Sequence, residues 1–302
     1  MATRAAADGR PTVGVIGLGI MGSAIAVNLR QAGFRVIGAD VSDGVRRRLR
    51  GKLDQVTADA GEVVAQAVRI VVSLPGVAAL EAVSHALAGA RPGRSRIIVA
   101  ETSTLPIEAK QAARERLAEA RIALLDAPLS GTGAQARTRD LGVYASGEPA
   151  AIRAMKPVFA GFARQCFEVG AFGNGMRMKL VANLLVAIHN VSSAEALLFA
   201  RRLGLDPARA LAVVADGAGG SRMLSVRGPA MVGRRWQQAT MKLEVWRKDM
   251  ALIHGALEAL DVPAPLFAAC QPIYAAALAQ GHALHDTAAV YAVLERMAQA
   301  QP

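Results

Sequence analysis

Hydrophobic residues in the first half of the chain occur in short runs rich in valine and isoleucine, separated by amphipathic stretches. The runs predict strands at Thr12–Ile16, Arg35–Ala39, Arg69–Ser73, Arg96–Ala100, Ile122–Leu125, Val143–Ala145 and Cys166–Val169. The amphipathic stretches predict helices, for example Met21–Ala32, Pro106–Ala120 and Pro149–Phe159. Strands that alternate with helices are typical of a largely parallel sheet with helices covering its faces.

After Gly175 the pattern predicts helices alone. The first is unusually long, from about Asn174 to Leu203, and Asp206-Pro207 then places a cap before a proline that starts the next helix. Further helices are predicted at Lys242–Leu260, Pro265–Ala279 and Asp286–Ala298, the last capped by Asp286. The sequence therefore predicts an α/β domain over residues 11–173 and an all-α domain over residues 174–302, with a substrate expected in a cleft between them.

Composition favours a globular chain in a reducing compartment. Hydrophobic residues make up 53% of the 302 residues and charged residues 20%, which excludes a disordered chain. The most apolar stretch, Leu180–Ala200, contains two asparagines, a histidine and a glutamate, so we expect no membrane span. No signal peptide is expected, and the two cysteines, Cys166 and Cys270, form no metal-spaced pair. A cytoplasmic location fits these features best.

The net charge of +11 indicates either a nucleic acid or an acidic small ligand. The excess is almost all arginine and is spread along the chain, and only Arg46–Arg48 forms a run. Aromatic residues are 4%, and no stacking platform or recognition helix is visible. We therefore expect no nucleic-acid partner.

A glycine-rich turn follows the first predicted strand and opens the first predicted helix: Gly17-Leu18-Gly19-Ile20-Met21-Gly22. Such a turn brings the backbone and a helix N-terminus close to the pyrophosphate of a dinucleotide, which predicts a Rossmann-type domain. Asp40 ends the second strand, where a carboxylate accepts the ribose hydroxyls and favours NAD over NADP. For Asp40 alone, a role as the cap of the next helix is a competing explanation, and Arg46–Arg48 leave NADP possible.

Two further segments lie at the carboxyl ends of predicted strands, where ligands bind in open α/β sheets. Leu74-Pro75 is one, and Thr104 belongs to the other, although Thr104 can also cap the helix before Pro106. A third segment, Ser130-Gly131-Thr132, follows the fifth strand and offers a nest of donors for a carboxylate. A segment of this composition is more often only a turn.

Lys179 stands in an apolar part of the long helix, in a chain with six lysines against 29 arginines. A partly desolvated lysine releases a proton near neutrality and an arginine does not. Asn183 at i+4 and Gly175 at i−4 share its helix face, and Gly175 is expected to leave room for a ligand. The alternative is a surface lysine whose alkyl stem covers apolar surface. His282 and His285 lack a third ligand, so no metal is expected.

Several of these motifs together resemble the β-hydroxyacid dehydrogenase, or 3-hydroxyisobutyrate dehydrogenase, family. They occur in the family's order and span about residues 12–296: Val15–Gly22, Asp126–Gly131, Gly175-x-x-x-Lys179-x-x-x-Asn183, Ala194–Ala196 and Lys248–Met250. The resemblance implies a nucleotide-binding domain, then a helical domain, in a homodimer or homotetramer. Within the family, His189 and the segment Ala218–Met223 resemble more the branch that acts on four-carbon sugar acids such as threonate.

The resemblance also implies residue roles. Lys179 matches the catalytic lysine and Asn183 its partner amide, and Ser130, Gly131 and Thr132 match the loop that binds the substrate carboxylate. The cofactor contacts correspond to the glycine turn and to Leu74, Pro75, Thr104 and Lys248. Thr132 departs from the family's Ser-Gly-Gly pattern, which leaves the hydroxy acid undetermined.

Two alternatives remain. An imine reductase shares this architecture but carries an Asp or Tyr where Lys179 stands. A non-catalytic dehydrogenase-like binding module lacks the lysine altogether. The sequence accordingly predicts an NAD(P)-dependent dehydrogenase of a small β-hydroxy acid, of the 3-hydroxyisobutyrate, glycerate/tartronate semialdehyde or threonate type.

Overall fold

The computed structural model describes residues 9–90 and 96–299. Its backbone contacts separate two compact units, Met1–Lys179 and Leu180–Pro302. The domain boundary predicted at residues 173 and 174 stays a prediction, and residues 300–302 of the predicted helical domain lie outside the described residues.

The first unit is built on a six-stranded parallel sheet with strand order β3-β2-β1-β4-β5-β6. The strands are β1 Thr12–Ile16, β2 Arg35–Ala39, β3 Gln55–Thr57, β4 Arg69–Val72, β5 Ile97–Glu101 and β6 Ile122–Asp126. The strand order reverses between β1 and β4, and the carboxyl ends beside this reversal are the usual ligand-binding edge of such a sheet. The predicted largely parallel sheet is confirmed.

Helices cover both faces of this sheet because its strands are apolar on both sides. Val13 and Val15 belong to one hydrophobic cluster with residues of the first and last helices of the unit, whereas Ile16 belongs to the cluster on the opposite face. The helices are α1 Ile20–Gln31, α2 Asp43–Leu49, α3 Ala60–Gln66, α4 Val77–Gly89, α5 Ile107–Glu119, α6 Gly133–Arg137 and α7 Pro149–Phe162.

A second, three-stranded sheet follows β6. Its strands are β7 Leu129–Ser130, β8 Gly142–Ala145 and β9 Gln165–Glu168. β7 pairs antiparallel with β8, and β8 pairs parallel with β9. The sequence pattern predicted the last two strands as members of the main sheet series and left β7 in a loop, because a two-residue strand carries no readable alternation.

The second unit contains helices, as predicted. Helix α8, Asn174–Arg202, crosses the division between the units and supplies Ala187, Val191, Ala194 and Leu197 to the core of the second. The others are α9 Pro207–Asp216, α10 Arg222–Val232, α11 Leu243–Ala259, α12 Pro265–Ala279 and α13 Val290–Gln299. Asp286 caps a 3-10 turn, Thr287–Ala289, so the final predicted helix begins later than expected.

Helix α8 is long and apolar enough to cross a membrane by length and composition, with a mean hydropathy of 1.3 over its most apolar window. Its inward positions include Asn190, whose side-chain amide donates to the Tyr274 hydroxyl at 3.1 Å and to the Thr287 carbonyl at 3.0 Å. These bonds satisfy the buried amide of Asn190, and the apolar positions Ala187, Val191, Ala194 and Leu197 of the same helix belong to the core of the second unit.

Candidate active site

The glycine turn has the backbone geometry that a dinucleotide requires. Gly17 has φ +82, and a Cβ there would lie 2.1 Å from the Ser73 carbonyl oxygen. A Cβ on Gly22 would lie 1.8 Å from the Gly17 oxygen, so both positions exclude a side chain. A Cβ on Gly19 would meet nothing within 4 Å. The turn is therefore packed tightly on the protein side and open at the N-terminus of α1.

Asp40 is hydrogen-bonded to this turn. Its carboxylate accepts the Leu18 N–H at 2.7 Å through one oxygen and the Ser42 N–H at 2.8 Å through the other. The cap of α2 is Ser42, which accepts from Val45 N, so Asp40 is not the N-cap of that helix. Asp40 instead connects the carboxyl end of β2 to the glycine turn.

Two of the three arginines in the basic run beside Asp40, Arg46 and Arg47, have partners within the protein. One amino group of Arg46 donates to the carbonyls of Asp40 and Val41, both at 2.8 Å. Arg46 and Arg47 both form ion pairs with Asp43. Because these guanidinium groups have partners on the protein, their presence alone does not make a 2′-phosphate site.

The predicted segments after β4 and β5 are brought together. The Leu74 N–H donates to the Ser103 hydroxyl at 2.7 Å, next to Pro75 and Thr104 in the sequence. The N-cap residue of helix α5 is Pro106, so Thr104 does not occupy the N-cap position of that helix. Both segments lie at the carboxyl edge of the main sheet.

The Ser130–Thr132 segment is more structured than the predicted loop. Ser130 ends β7, Gly131 has φ +130, and Thr132 is the N-cap residue of α6. The Thr132 N–H donates to Gln135 Oε1 at 3.1 Å. The Thr132 N–H therefore has a partner within the protein, Ser130 is partly exposed, and the predicted nest of donors stays a prediction.

Lys179 is buried, with 8% of its surface exposed. Its Nζ donates to the Leu129 carbonyl oxygen at 2.7 Å, one residue before Ser130. The surface-lysine alternative is thus wrong. The amine is held beside the segment that the sequence analysis assigned to the substrate carboxylate.

Gly175 has a different role from the one predicted. A Cβ on this residue would lie 2.5 Å from the Tyr144 carbonyl oxygen and 2.7 Å from that of Asp126. The space beside Gly175 is filled by backbone, and it does not leave room for a ligand. The glycine is needed because the first turn of α8 packs directly on β6 and β8.

A buried ion cluster that sequence reasoning missed lies behind these segments. Lys110 Nζ is 2.7 Å from Glu101 Oε2 and 2.7 Å from Asp126 Oδ1, and all three side chains are fully buried. Burial lowers the pKa of Lys110, but the charges and hydrogen bonds of Glu101 and Asp126 outweigh it and raise that pKa above its ordinary value. Lys110 therefore stays protonated. The scarcity of lysine was the one signal for it.

The second unit contains the remaining predicted residues. Asn183, 4% exposed, donates through Nδ2 to Asp249 Oδ2 at 3.0 Å. Lys248 Nζ lies 3.3 Å from Asp249 Oδ1 on α11. Asp249 was not predicted as a site residue, although it belongs to the Lys248–Met250 motif. It fixes the amide that follows Lys179 by one helical turn.

His282, His285 and the two cysteines lie outside the motifs described above. His282 Nδ1 and His285 Nδ1 are 2.8 Å apart, and the part of the chain that the structure describes contains no cluster of three metal-ligating side chains. Both cysteines are free thiols, and burial is the main cause that raises the pKa of each to about 11.

Two protein-family models together match almost the whole chain. The NAD binding domain of 6-phosphogluconate dehydrogenase matches residues 12–171. The NAD-binding region of NADP-dependent 3-hydroxyisobutyrate dehydrogenase matches residues 173–294.

Curated relatives and solved structures agree with these matches. The chain is 31% identical over 289 residues to 2-hydroxy-3-oxopropionate reductase of Escherichia coli K12, covering 95% of this chain and 98% of that protein. It is 29% identical over 283 residues to L-threonate dehydrogenase of Cupriavidus necator, covering 92% and 94%. A crystal structure of 3-hydroxyisobutyrate dehydrogenase from Salmonella typhimurium superposes with a TM-score of 0.82 at 27% identity, covering 93% and 99%.

Proposed function

This chain belongs to the β-hydroxyacid dehydrogenase family, and we propose that it oxidises a small β-hydroxy acid with Lys179 as the general acid/base. The family is an NAD(P)-dependent oxidoreductase family, so the reaction is a hydride transfer between a nicotinamide cofactor and the hydroxy acid. The residue roles, the preferred cofactor and the substrate given below are proposals.

The observation that carries the proposal is the buried amine of Lys179 at the Leu129 carbonyl. An amine with little solvent exposure and a fixed acceptor is held in one position, as proton transfer requires. Ser130 is the next residue after that acceptor, so a carboxylate bound by the Ser130–Thr132 segment would place its neighbouring hydroxyl close to the amine. An arginine at the same position would keep the charge but release no proton.

The residues of the glycine turn fit a dinucleotide. Gly19 leaves the backbone open where a pyrophosphate must approach, and α1 has no side-chain cap that would compete for its first N–H groups. Leu74, Pro75 and Thr104 would contact the cofactor at the carboxyl ends of β4 and β5, and Lys248 is assigned by resemblance. When bound, the nicotinamide supplies the hydride acceptor.

The protein's own side chains supply the rest of the chemistry. Lys179 Nζ accepts the proton of the substrate hydroxyl as the carbon–hydrogen bond breaks, and it returns that proton when the carbonyl is reduced. Asn183, one turn further along α8, would hold the same oxygen. Ser130, Gly131 and Thr132 would bind the carboxylate and fix the orientation of the acid. Positioning of this kind accounts for a large part of enzymatic rate.

We propose NAD as the preferred cofactor because of Asp40. Its carboxylate is held at the end of β2 by two backbone N–H groups, where it can accept ribose hydroxyls and repel a 2′-phosphate. Arg46 and Arg47 are engaged by Asp43 and by backbone carbonyls, which supports the same preference.

The substrate proposal follows from the named relatives. A 2-hydroxy-3-oxopropionate reductase and an L-threonate dehydrogenase are both similar to this chain over almost its full length. Their names describe acids of three and four carbons with several oxygens. We therefore favour glycerate and threonate over 3-hydroxyisobutyrate as first substrates to test.

A homodimer or homotetramer and a cytoplasmic location complete the proposal. An exposed apolar stripe runs along helix α8 to the residue after its end and consists of Met178, Val181, Leu185, Phe199 and Leu203. At about 100° per residue these positions share one side of the helix, away from Lys179 and Asn183, and a second copy of the chain is the partner we propose for it. The two free thiols fit a reducing compartment.

The deciding experiment measures NAD⁺ and NADP⁺ reduction with glycerate, L-threonate, 3-hydroxyisobutyrate and serine, for the wild type, Lys179→Arg and the control Lys156→Arg. Lys156 is exposed and pairs with Glu168, so its variant should match the wild type. We expect Lys179→Arg to lose about 10²- to 10⁴-fold in kcat while it still binds NADH, because the general base is gone.

Two outcomes contradict the proposal. Full turnover by a folded Lys179→Arg variant removes the proposed mechanism. Turnover of cyclic imines with no oxidation of any hydroxy acid would instead favour the imine reductase alternative, and no turnover on either panel would favour a binding module.

A further inference from the structure

The Lys110 cluster combines one ammonium group with two carboxylates in a fully buried place, so it holds more negative than positive groups. Burying charges costs several kcal/mol per ion, and apolar residues of similar volume often stabilise a fold as well as a buried ion pair does. Stability alone therefore gives no reason for this arrangement. The hydrogen bonds of the cluster indicate a role for the second carboxylate, that of Asp126.

Asp126 uses its remaining oxygen at the start of α8. Asp126 Oδ2 accepts the Met176 N–H at 2.8 Å and the Ser146 hydroxyl at 3.1 Å. The Ser146 hydroxyl oxygen in turn accepts the Gly175 N–H at 3.0 Å. Gly175 and Met176 are in the first turn, whose N–H groups have no partner within the helix. The partial positive charge of this helix end offsets the additional carboxylate.

The same two segments meet again one turn later. Three residues after Asp126, the Leu129 carbonyl accepts from Lys179 Nζ, and Lys179 is three residues after Met176. Residues at i and i+3 lie on the same side of a helix. The segment from Asp126 to Leu129 thus holds α8 at two successive points, and the second point is the amine itself.

The other arm of the cluster leads to the predicted cofactor segments. Glu101 Oε1 accepts the Ser103 N–H at 2.9 Å, and the Ser103 hydroxyl accepts the Leu74 N–H at 2.7 Å. Lys110 therefore links the bonds that run through Glu101 to Leu74 with the bonds that run through Asp126 to the first turn of α8, one turn before Lys179.

We propose that Asp126 is a positioning residue, which the Lys110–Glu101 pair holds in place so that the first turn of α8 sets the Lys179 amine in register with the cofactor segments. This inference rests on the proposed role of Lys179. Asp126 itself touches no reacting atom in this scheme. Its loss should move the amine without removing any group that binds the cofactor.

The test compares Asp126→Asn with the wild type in the full-length protein. An asparagine keeps the volume of the side chain but cannot accept from both Lys110 and Met176 N as a carboxylate does. We expect kcat to fall about 100-fold, the loss that a displacement of ~1 Å produces, with NADH affinity within about twofold. The isotope effect on kcat for a carbon-deuterated hydroxy acid should rise, because the misplaced amine slows the chemical step.

Asp54→Asn is the matched control. Asp54 also accepts a backbone N–H, from Val36 at 2.9 Å, and pairs with Arg10, but it precedes β3, and these partners belong to β2 and the N-terminal segment rather than to α8. It should lower the thermal midpoint and leave kcat and the isotope effect unchanged. If Asp126→Asn does not fold, Ser146→Ala removes the hydroxyl that accepts the Gly175 N–H and donates to Asp126, and it should give a smaller loss in the same direction because the Asp126 bond to Met176 N remains.

A second measurement does not need turnover. Acetic anhydride labelling, read by mass spectrometry, compares the reactivity of Lys179 with that of the exposed Lys156. We expect Lys179 to become more reactive in Asp126→Asn and to stay protected in Asp54→Asn. If the wild type oxidises no hydroxy acid but this change occurs, the proposed function fails and the positioning role stands. Unchanged labelling and unchanged kcat in a folded Asp126→Asn variant would overturn the inference.

Discussion

Asp40 is the residue that we expect to decide between the two nicotinamide cofactors. Each of its carboxylate oxygens already accepts one backbone N–H, and each keeps a second acceptor site for a ribose hydroxyl. The negative charge at this point opposes a 2′-phosphate. The neighbouring arginines do not reverse that effect, because Arg46 is bonded to the carbonyls of Asp40 and Val41.

Asp40→Asn tests this role with the smallest change available. The amide keeps an oxygen for the Leu18 N–H but loses the charge, and a hydrogen bond to a charged group is worth about 1.5–3 kcal/mol. We expect the ratio of kcat/KM for NAD to that for NADP to fall about tenfold or more. Steady-state kinetics with both cofactors measure the ratio.

Asp59→Asn serves as the control for that ratio, because Asp59 caps α3 through the Gly61 N–H and asparagine caps equally well. It should leave the ratio as it is in the wild type. A wild type that already prefers NADP, or an Asp40→Asn ratio equal to the wild-type ratio, would show that the carboxylate does not set the preference.

At the scale of elements, the turn between β1 and α1 separates structural glycines from a ligand-facing one. Gly17 and Gly22 are required by backbone on the protein side, whereas Gly19 faces open space. The sequence motif does not distinguish the three glycines. In the structure, a side chain at Gly17 or Gly22 would collide with backbone, whereas a side chain at Gly19 would not.

Gly22→Ala and Gly19→Ala should therefore fail in different ways. The Gly22→Ala methyl group would lie 1.8 Å from the Gly17 oxygen, so α1 must shift, and we expect a large fall in the thermal midpoint. The Gly19→Ala protein should keep its midpoint and lose affinity for NADH, because the methyl group occupies the space the pyrophosphate needs. Calorimetry and fluorescence titration measure the two quantities. Equal losses of stability in both variants would contradict this division.

The same scale shows what the sequence pattern could predict. β1 and β2 were predicted with their observed ends, because each is a continuous apolar run between turn residues. The strand β3 and the strand β7 were missed, since runs of three and two residues carry no periodic signal. Elements with a periodic hydrophobic pattern were therefore predictable from the sequence. Short strands that are defined only by their hydrogen bonds to a neighbouring strand were not.

The residues of the candidate site also fall into a predictable and an unpredictable group. Motif residues such as Gly17 and Lys179 were identifiable because residue type and spacing within a short segment indicate their chemistry. The Lys110 cluster was not, because Glu101, Lys110 and Asp126 come from β5, α5 and β6 and meet only when the sheet forms. Lys110 reads in the sequence as one more polar position on an amphipathic helix. Long-range contacts of this kind also overturned the expectation that Gly175 leaves space for a ligand.

At the scale of the whole molecule, the net charge bears on small ligands, and the exposed apolar surface bears on association between chains. The charge of +11 raises the local concentration of anions, and both the hydroxy acid and the dinucleotide are anionic. The apolar stripe of α8 continues into α9, where no residue is buried, and a groove of about 420 Å³ lies between Phe199, Leu203 and Val213. The charge concentrates small anionic ligands, whereas a second copy of the chain is the partner that we propose for the apolar surface.

The double variant Phe199→Glu/Leu203→Glu tests the proposed oligomer. These side chains are 64% and 60% exposed, so the change should leave each chain folded and place two charges in the interface that we propose. Light scattering after size exclusion should give a multiple of the 31.4 kDa chain mass for the wild type and 31.4 kDa for the variant. Leu260→Glu is the control, because Leu260 is 72% exposed at the end of α11 and lies off the stripe, and it should assemble like the wild type. A wild type of 31.4 kDa, or a double variant that assembles as the control does, would place the α8 stripe outside any interface between subunits.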